Sequence, residues 1–217
     1  MKLFTVLLVS LCGISSVMAQ SIPCNDTAQI TIKLKSIRKA DQESRAQFIK
    51  QMAENNPEKA KQLALQMKAT DKQNQQEIGE LLDNCGWPKG LSAEDNHTLF
   101  LVIDHAETTY MKKYFPLLKD QADKGIVPKS DLATLQDRIL LRSGEKQLYG
   151  TQTFKDGAII RVWPIDEVEH IDQRRKEMGL PPIDEYLATV KSTYKSEVSW
   201  DKEMTIEDAR QKVLKKP

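Results

Sequence analysis

After its first twenty residues the chain has no apolar run long enough to span a membrane as a helix. It also lacks the commonest catalytic signatures: a G-x-S-x-G elbow, a Walker loop, a G-x-G-x-x-G turn and a C-x-x-C pair. Each absence removes one class, respectively the serine-elbow hydrolases, the P-loop enzymes, the dinucleotide-binding enzymes and the dithiol redox proteins. Net charge is missing as well. The 217 residues carry 32 Lys+Arg and 31 Asp+Glu, and Lys2 is the only charged residue before Gln20, so 31 basic groups then face 31 acidic ones. That balance gives no footprint for nucleic acid and no acidic excess for bulk cation binding. Histidine is scarce, with only His97, His105 and His170. No H-x-x-x-H or H-E-x-x-H spacing links them, so no metal site and no cofactor is expected; Asp95-x-His97 is the one chelating spacing.

What is present first is a leader. MKLFTVLLVSLCGISSVMAQ places Lys2 before an apolar run from Leu3 to about Ile14 and ends in small or mild residues. This is the layout of a signal peptide covering 1–19, cleaved between Ala19 and Gln20. Leu11 before Cys12 speaks against lipidation, which needs a small residue there. The chain is therefore expected to be exported, periplasmic or secreted, with no transmembrane anchor after cleavage. Of three cysteines, Cys24 and Cys85 remain, too few for a cysteine-only metal cluster. In an oxidising compartment they are disulfide candidates, although buried thiols would also satisfy them. The closed loop would stabilise the fold by about 4 kcal/mol on the chain-entropy view.

The remainder reads as mainly α (α+β), with packed helical hairpins and one small antiparallel β-hairpin near 147–163. Residues 26–54 form a first helix, capped by Asp26 or Thr27, with Ile30, Leu34, Ile37 and Phe48 as a loose apolar stripe. Asn56-Pro57 starts a second helix, Cys85-Gly86-Trp87-Pro88 ends it, and Ser92 to Asp95 resembles a capping box for a third. Further helices are expected at 112–124 and from about 130 to Ser143. By this reading 20–56 is a helical extension, 57–195 the main domain and 196–217 a peripheral tail.

After Gly144 the periodicity changes. EKQLYGTQTF and AIIRVWP flank Asp156-Gly157, a strong hairpin signal. With these two as loop residues, Phe154 faces Ile159, Thr153 faces Ile160 and Gly150 faces Trp163. Asp166 and Glu169 then resemble a capping box for a helix that stops at Gly179.

Candidate chemistry centres on His105, beside Asp104 at the end of an apolar helix, and on Asp137 and Arg138. In a catalytic reading His105 is a base and Asp137 its orienter or an acid, with Arg138 or Gln152 steadying negative charge. Gln147, Tyr149, Thr151, Gln152 and Arg174 would line a ligand pocket, while Gly150, Trp163, Asp166 and Gly179 are structural. A second reading makes Asp137–Arg138 and Asp166–Arg174 buried ion pairs in a non-catalytic binding or interaction module.

The ordered motifs GWP (86–88), DHA (104–106), DR (137–138), G-x-x-Q-x-YGTQ (144–152), WPID (163–166) and RR-x-x-x-GLP (174–181) resemble a bacterial family of uncharacterised proteins, a domain of unknown function. The resemblance runs over about 60–190 and includes the Asp71 and Asn74 region. It implies a shared signature of polar residues, and with it a pocket for an unknown small molecule or envelope component, but no reaction.

Overall fold

The computed structural model describes residues 22–54 and 56–214, so the leader expected at 1–19 lies outside the described residues. Two long helices, α1 (Thr27–Ala53) and α2 (Pro57–Cys85), run as an antiparallel hairpin. The punctuation expected from the sequence is in place. The Asp26 carboxylate accepts from Gln29 N, the Asn56 side chain accepts from Lys59 N, and Pro57 opens α2. A disulfide joins Cys24 to Cys85 and ties the start of α1 to the end of α2, with Cα atoms 5.3 Å apart. The turn after α2 buries Trp87, whose indole N–H donates to Asn96 Oδ1 at 2.8 Å.

Helices α3 (Ala93–Asp104), α4 (Thr108–Asp123) and α5 (Lys129–Ser143) complete this helical lobe. Ser92 caps α3 by accepting from Asp95 N. The main core joins Ile30, Leu34 and Ile37 of α1 to Ile78 and Leu82 of α2, and to Leu99, Ile103, Met111, Leu118 and Leu135 of the other three. Two arginines of α5 clasp the end of α3, where helix carbonyls favour positive charge. Arg138 Nε lies 2.9 Å from the buried Asp104 carboxylate, and Arg142 donates to the Ala106 carbonyl.

The hairpin exists, but its register differs from expectation by two residues. Strands β1 (Thr153–Asp156) and β2 (Ile159–Val162) pair Asp156 with Ile159, Phe154 with Arg161 and Thr153 with Val162. The loop is thus Gly157-Ala158. Gly157 takes φ +59 while Ala158 keeps a negative φ, the pattern of a turn with glycine at its first central position. This register leaves Asp156 in the strand, where its carboxylate accepts from Arg161 Nε at 2.6 Å.

Gly150 does not lie under Trp163 as expected. It precedes β1, and a Cβ there would come within 2.9 Å of the Ile165 and Ile183 side chains, in a second core that also holds Val162 and Ile171. Trp163 packs instead on Phe154, ring centroids 4.7 Å apart. A third strand, β3 (Glu197–Ser199), pairs in parallel with β2. Helix α8 (Ile206–Leu214) buries Ala209 against the Phe154 cluster, so residues set apart as a tail take part in the sheet and a core.

Between hairpin and tail, the expected helix from Asp166 is a 3₁₀ turn (Val168–His170) leading into α6 (Ile171–Glu177), and no side-chain cap forms at its start. Gly179 ends α6 with φ +68, followed by α7 (Ile183–Tyr194).

Candidate functional site

The apolar row of α1, Ile30–Leu34–Ile37, continues one turn later as Asp41, which is only 2% exposed. The facing row of α2 does the same: between Leu63 and Ile78 it presents Asp71 and the buried Asn74. His105, the C-cap of α3, enters this polar layer from the side. Its Nδ1 lies 3.1 Å from Asp41 Oδ1, and Nε2 has no protein hydrogen-bond partner among the described residues. Arg45 spans both carboxylates, with Nη2 3.1 Å from Asp41 Oδ1 and 2.7 Å from Asp71 Oδ1. Gln42 donates to the second Asp41 oxygen.

These groups line a narrow crevice with no room for a water molecule, shared by Asp41, Asp71, Asn74, Gln75, Val102 and His105. Burial alone would raise the Asp41 carboxyl; the hydrogen bond and charge of His105 and the Arg45 guanidinium outweigh it and hold the group below its ordinary value. Asp71 goes the other way, because burial there outweighs Arg45. One ligand atom each from Asp41, Asp71 and His105 lies within 4.8 Å of the others. The sequence holds no metal motif because these donors come from three helices.

Asp137 is elsewhere. Fully buried on α5, its carboxylate holds the strap 147–151. Oδ1 accepts from Leu148 N at 2.7 Å and Tyr149 N at 3.0 Å, and Oδ2 accepts from Thr151 N and the Thr151 hydroxyl, both at 2.9 Å. Burial nonetheless pushes its pKa up, the four hydrogen bonds opposing. His105 and Asp137 therefore belong to separate hydrogen-bond networks. Their neighbours in sequence, Asp104 and Arg138, form an ion pair between the two helices. The Asp137–Arg138 pair expected in the second reading is replaced by that one.

Of the residues assigned to a ligand pocket, Gln147, Thr151, Gln152 and Arg174 hydrogen-bond protein groups through their side chains. Gln147 is fully buried; its amide donates to the carbonyls of Gln152 and Trp163 and accepts from Gln152 N. The Gln152 side chain donates to Thr151 Oγ1. The Thr151 carbonyl accepts from the Tyr186 hydroxyl, and the Tyr149 carbonyl accepts from Arg175. Arg174 donates to the carbonyls of Leu148, Glu167 and Asp166, not to the Asp166 carboxylate as the second reading has it. Arg175, fully buried, stands over the Tyr186 ring and donates to the Pro181 carbonyl.

Asp41 and Arg45 carry no motif. Their one signal is a carboxylate at the next position of an otherwise apolar helical row, the kind of interruption that marks a buried polar group with a partner. No curated protein and no solved structure matches this chain. A family model covers residues 28–199, from the start of α1 to the end of β3, and so includes both the crevice and the Asp137 strap. The chain belongs to that family, a family of unknown function (DUF6624).

Proposed function

We propose that the chain is an exported protein that acts on a small polar ligand at the α1–α2–α3 crevice, with hydrolysis as its chemistry. The observation that carries this reading is the His105–Asp41 contact beside Asp71 and Arg45. A carboxylate on Nδ1 orients the imidazole and favours the tautomer that leaves Nε2 as a base, the logic of a catalytic dyad. Arg45 is placed to steady negative charge developing on a substrate oxygen. The crevice itself is too tight to enclose an organic ligand, whose pockets begin at roughly 300 Å³. The ligand would accordingly meet His105, Asp71 and Arg45 at the mouth, where their side chains are 18%, 16% and 22% exposed. Export is supported by the leader pattern of 1–19 and by the Cys24–Cys85 disulfide, a bond suited to an oxidising compartment.

The second reading, a non-catalytic interaction module, draws on the strap. Gln147, Thr151, Gln152 and Arg174 engage protein groups, as residues that build a scaffold do. The two readings are separated by screening the leader-free chain against ester, amide, phosphoester and glycoside substrates beside His105→Asn and Asp71→Asn. Turnover lost in both variants while their melting curves stay near wild type is the expected result. Turnover that persists in His105→Asn would overturn the assignment to this crevice, and no turnover on any class would leave the interaction module standing.

A further inference from the structure

We propose that Asp41, Asp71 and His105, completed by Asn74, form a binding site for a divalent transition-metal cation of the zinc or manganese type. The inference rests on the crevice described above, but it concerns binding and stands without any reaction.

Four observations converge. The donor atoms of the first three residues lie within 4.8 Å of one another, and the Asp41–His105 contact is 3.1 Å. Two donors on one ion, each with a bond of about 2.0–2.2 Å, stand roughly 3.0–3.5 Å apart, so this pair already has the spacing of neighbouring ligands. Asn74 lines the same crevice at 5% exposure, and its side-chain nitrogen has no hydrogen-bond partner. Rotation of the amide by a half turn presents its oxygen at the same place, the form a cation would select. The two carboxylates outnumber the single guanidinium of Arg45, so the cluster keeps one negative charge for a cation once the imidazole has given up any proton it holds. Finally, the crevice is too tight to enclose an organic molecule.

Donor chemistry narrows the ion. One imidazole nitrogen with carboxylate and amide oxygens suits zinc or manganese, whereas calcium takes six to eight oxygens and copper(I) prefers sulfur. Arg45 occupies the cation's side of the carboxylates, hanging one turn beyond Asp41 with its side chain 22% exposed. It can withdraw toward solvent as the ion enters, and so competes with it. With an ion in place, His105 would serve as a ligand and not as a base.

The test uses the chain from Gln20 to Pro217, oxidised and stripped with EDTA, titrated with ZnCl2 or MnCl2 alone by calorimetry and by thermal melting. Saturable binding of one ion per chain with a rise in Tm is expected. Asp71→Asn and His105→Gln should each weaken binding by about tenfold or more. Asn74→Asp should preserve or tighten it, and Arg45→Met should tighten it by removing the competing cation. That last variant tests for a gain, so misfolding cannot imitate its result; far-UV circular dichroism in EDTA checks the others. The proposal is overturned if neither ion binds below about 1 mM, if binding survives unchanged in the Asp71→Asn/His105→Gln double variant, or if Arg45→Met weakens it. Ion binding without turnover would sink the hydrolytic reading alone, and turnover in EDTA without ion binding would sink this one alone.

Discussion

Replacing Asp137 with alanine would take the only carboxylate away from the strap 147–151. Three backbone N–H groups, of Leu148, Tyr149 and Thr151, would lose a charged acceptor inside the protein. Each orphaned buried donor costs about 1–3 kcal/mol, so a rigid strap would lose roughly 3–9 kcal/mol. Without its anchor the strap can lift and admit water, which limits the loss; about 4 kcal/mol is expected, near the top of what single substitutions do. Asp137→Asn separates charge from shape. Its oxygen can still serve Leu148 and Tyr149, and the Thr151 hydroxyl can reverse and accept, but the new NH2 then faces the Thr151 N–H. One donor is stranded, at a cost of about 2 kcal/mol. Urea unfolding of the oxidised chain, followed by far-UV circular dichroism, reads both values from the midpoint at constant slope. If Asp137→Ala stays within about 1 kcal/mol of wild type, or if asparagine is worse than alanine, the carboxylate is not what holds the strap.

Gly150→Ala forces a side chain onto φ +67 and against Ile165 and Ile183 at 2.9 Å. The backbone and overpacking terms together predict a loss of about 2–4 kcal/mol, visible as a lowered Tm. Changing Cys24 and Cys85 together to serine should lower stability by about 3–4 kcal/mol in the same urea assay, and dithiothreitol should have no further effect on that variant. Burial raises the phenols of Tyr110, Tyr114, Tyr149 and Tyr186 above their ordinary value of 10.0. The folded chain then keeps protons that the unfolded chain releases, so stability should fall as pH rises past about 10. Absorbance at 295 nm should report these phenolates only as circular dichroism reports unfolding; ionisation of all four ahead of unfolding would contradict their burial.

Local punctuation was legible because its physics is local. Asn56-Pro57, Ser92 with Asp95, and Gly179 act within one helical turn, and each ends or starts a helix where expected. The hairpin was legible from the change of period at Gly144, but not its register. Asp-Gly and Gly-Ala are both permitted loops, and the choice follows from Asp156 pairing with Arg161 and from the cores under β2. Strand β3, three residues beginning with an exposed glutamate, has no signal of its own and exists through its pairing with β2.

The site was half legible. His105 stands at the end of an apolar helix as expected, but the partner expected for it, Asp137, hydrogen-bonds the strap 147–151 instead. Asp41 sits 64 residues away in sequence, and no spacing rule spans that distance. The polar tract Gln147 to Gln152 resembled a binding edge because buried scaffolding and ligand sites draw on the same side chains.

The disulfide encloses residues 24–85, a loop that contains Asp41, Asp71 and Asn74 and leaves out His105. In a chain that emerges from its N-terminus, both cysteines appear before the histidine does. The carboxylate wall can be locked covalently as a finished hairpin, and the imidazole then docks onto it. The covalent bond thus constrains the wall that carries Asp41, Asp71 and Asn74, while His105 is held against it by packing and a hydrogen bond alone.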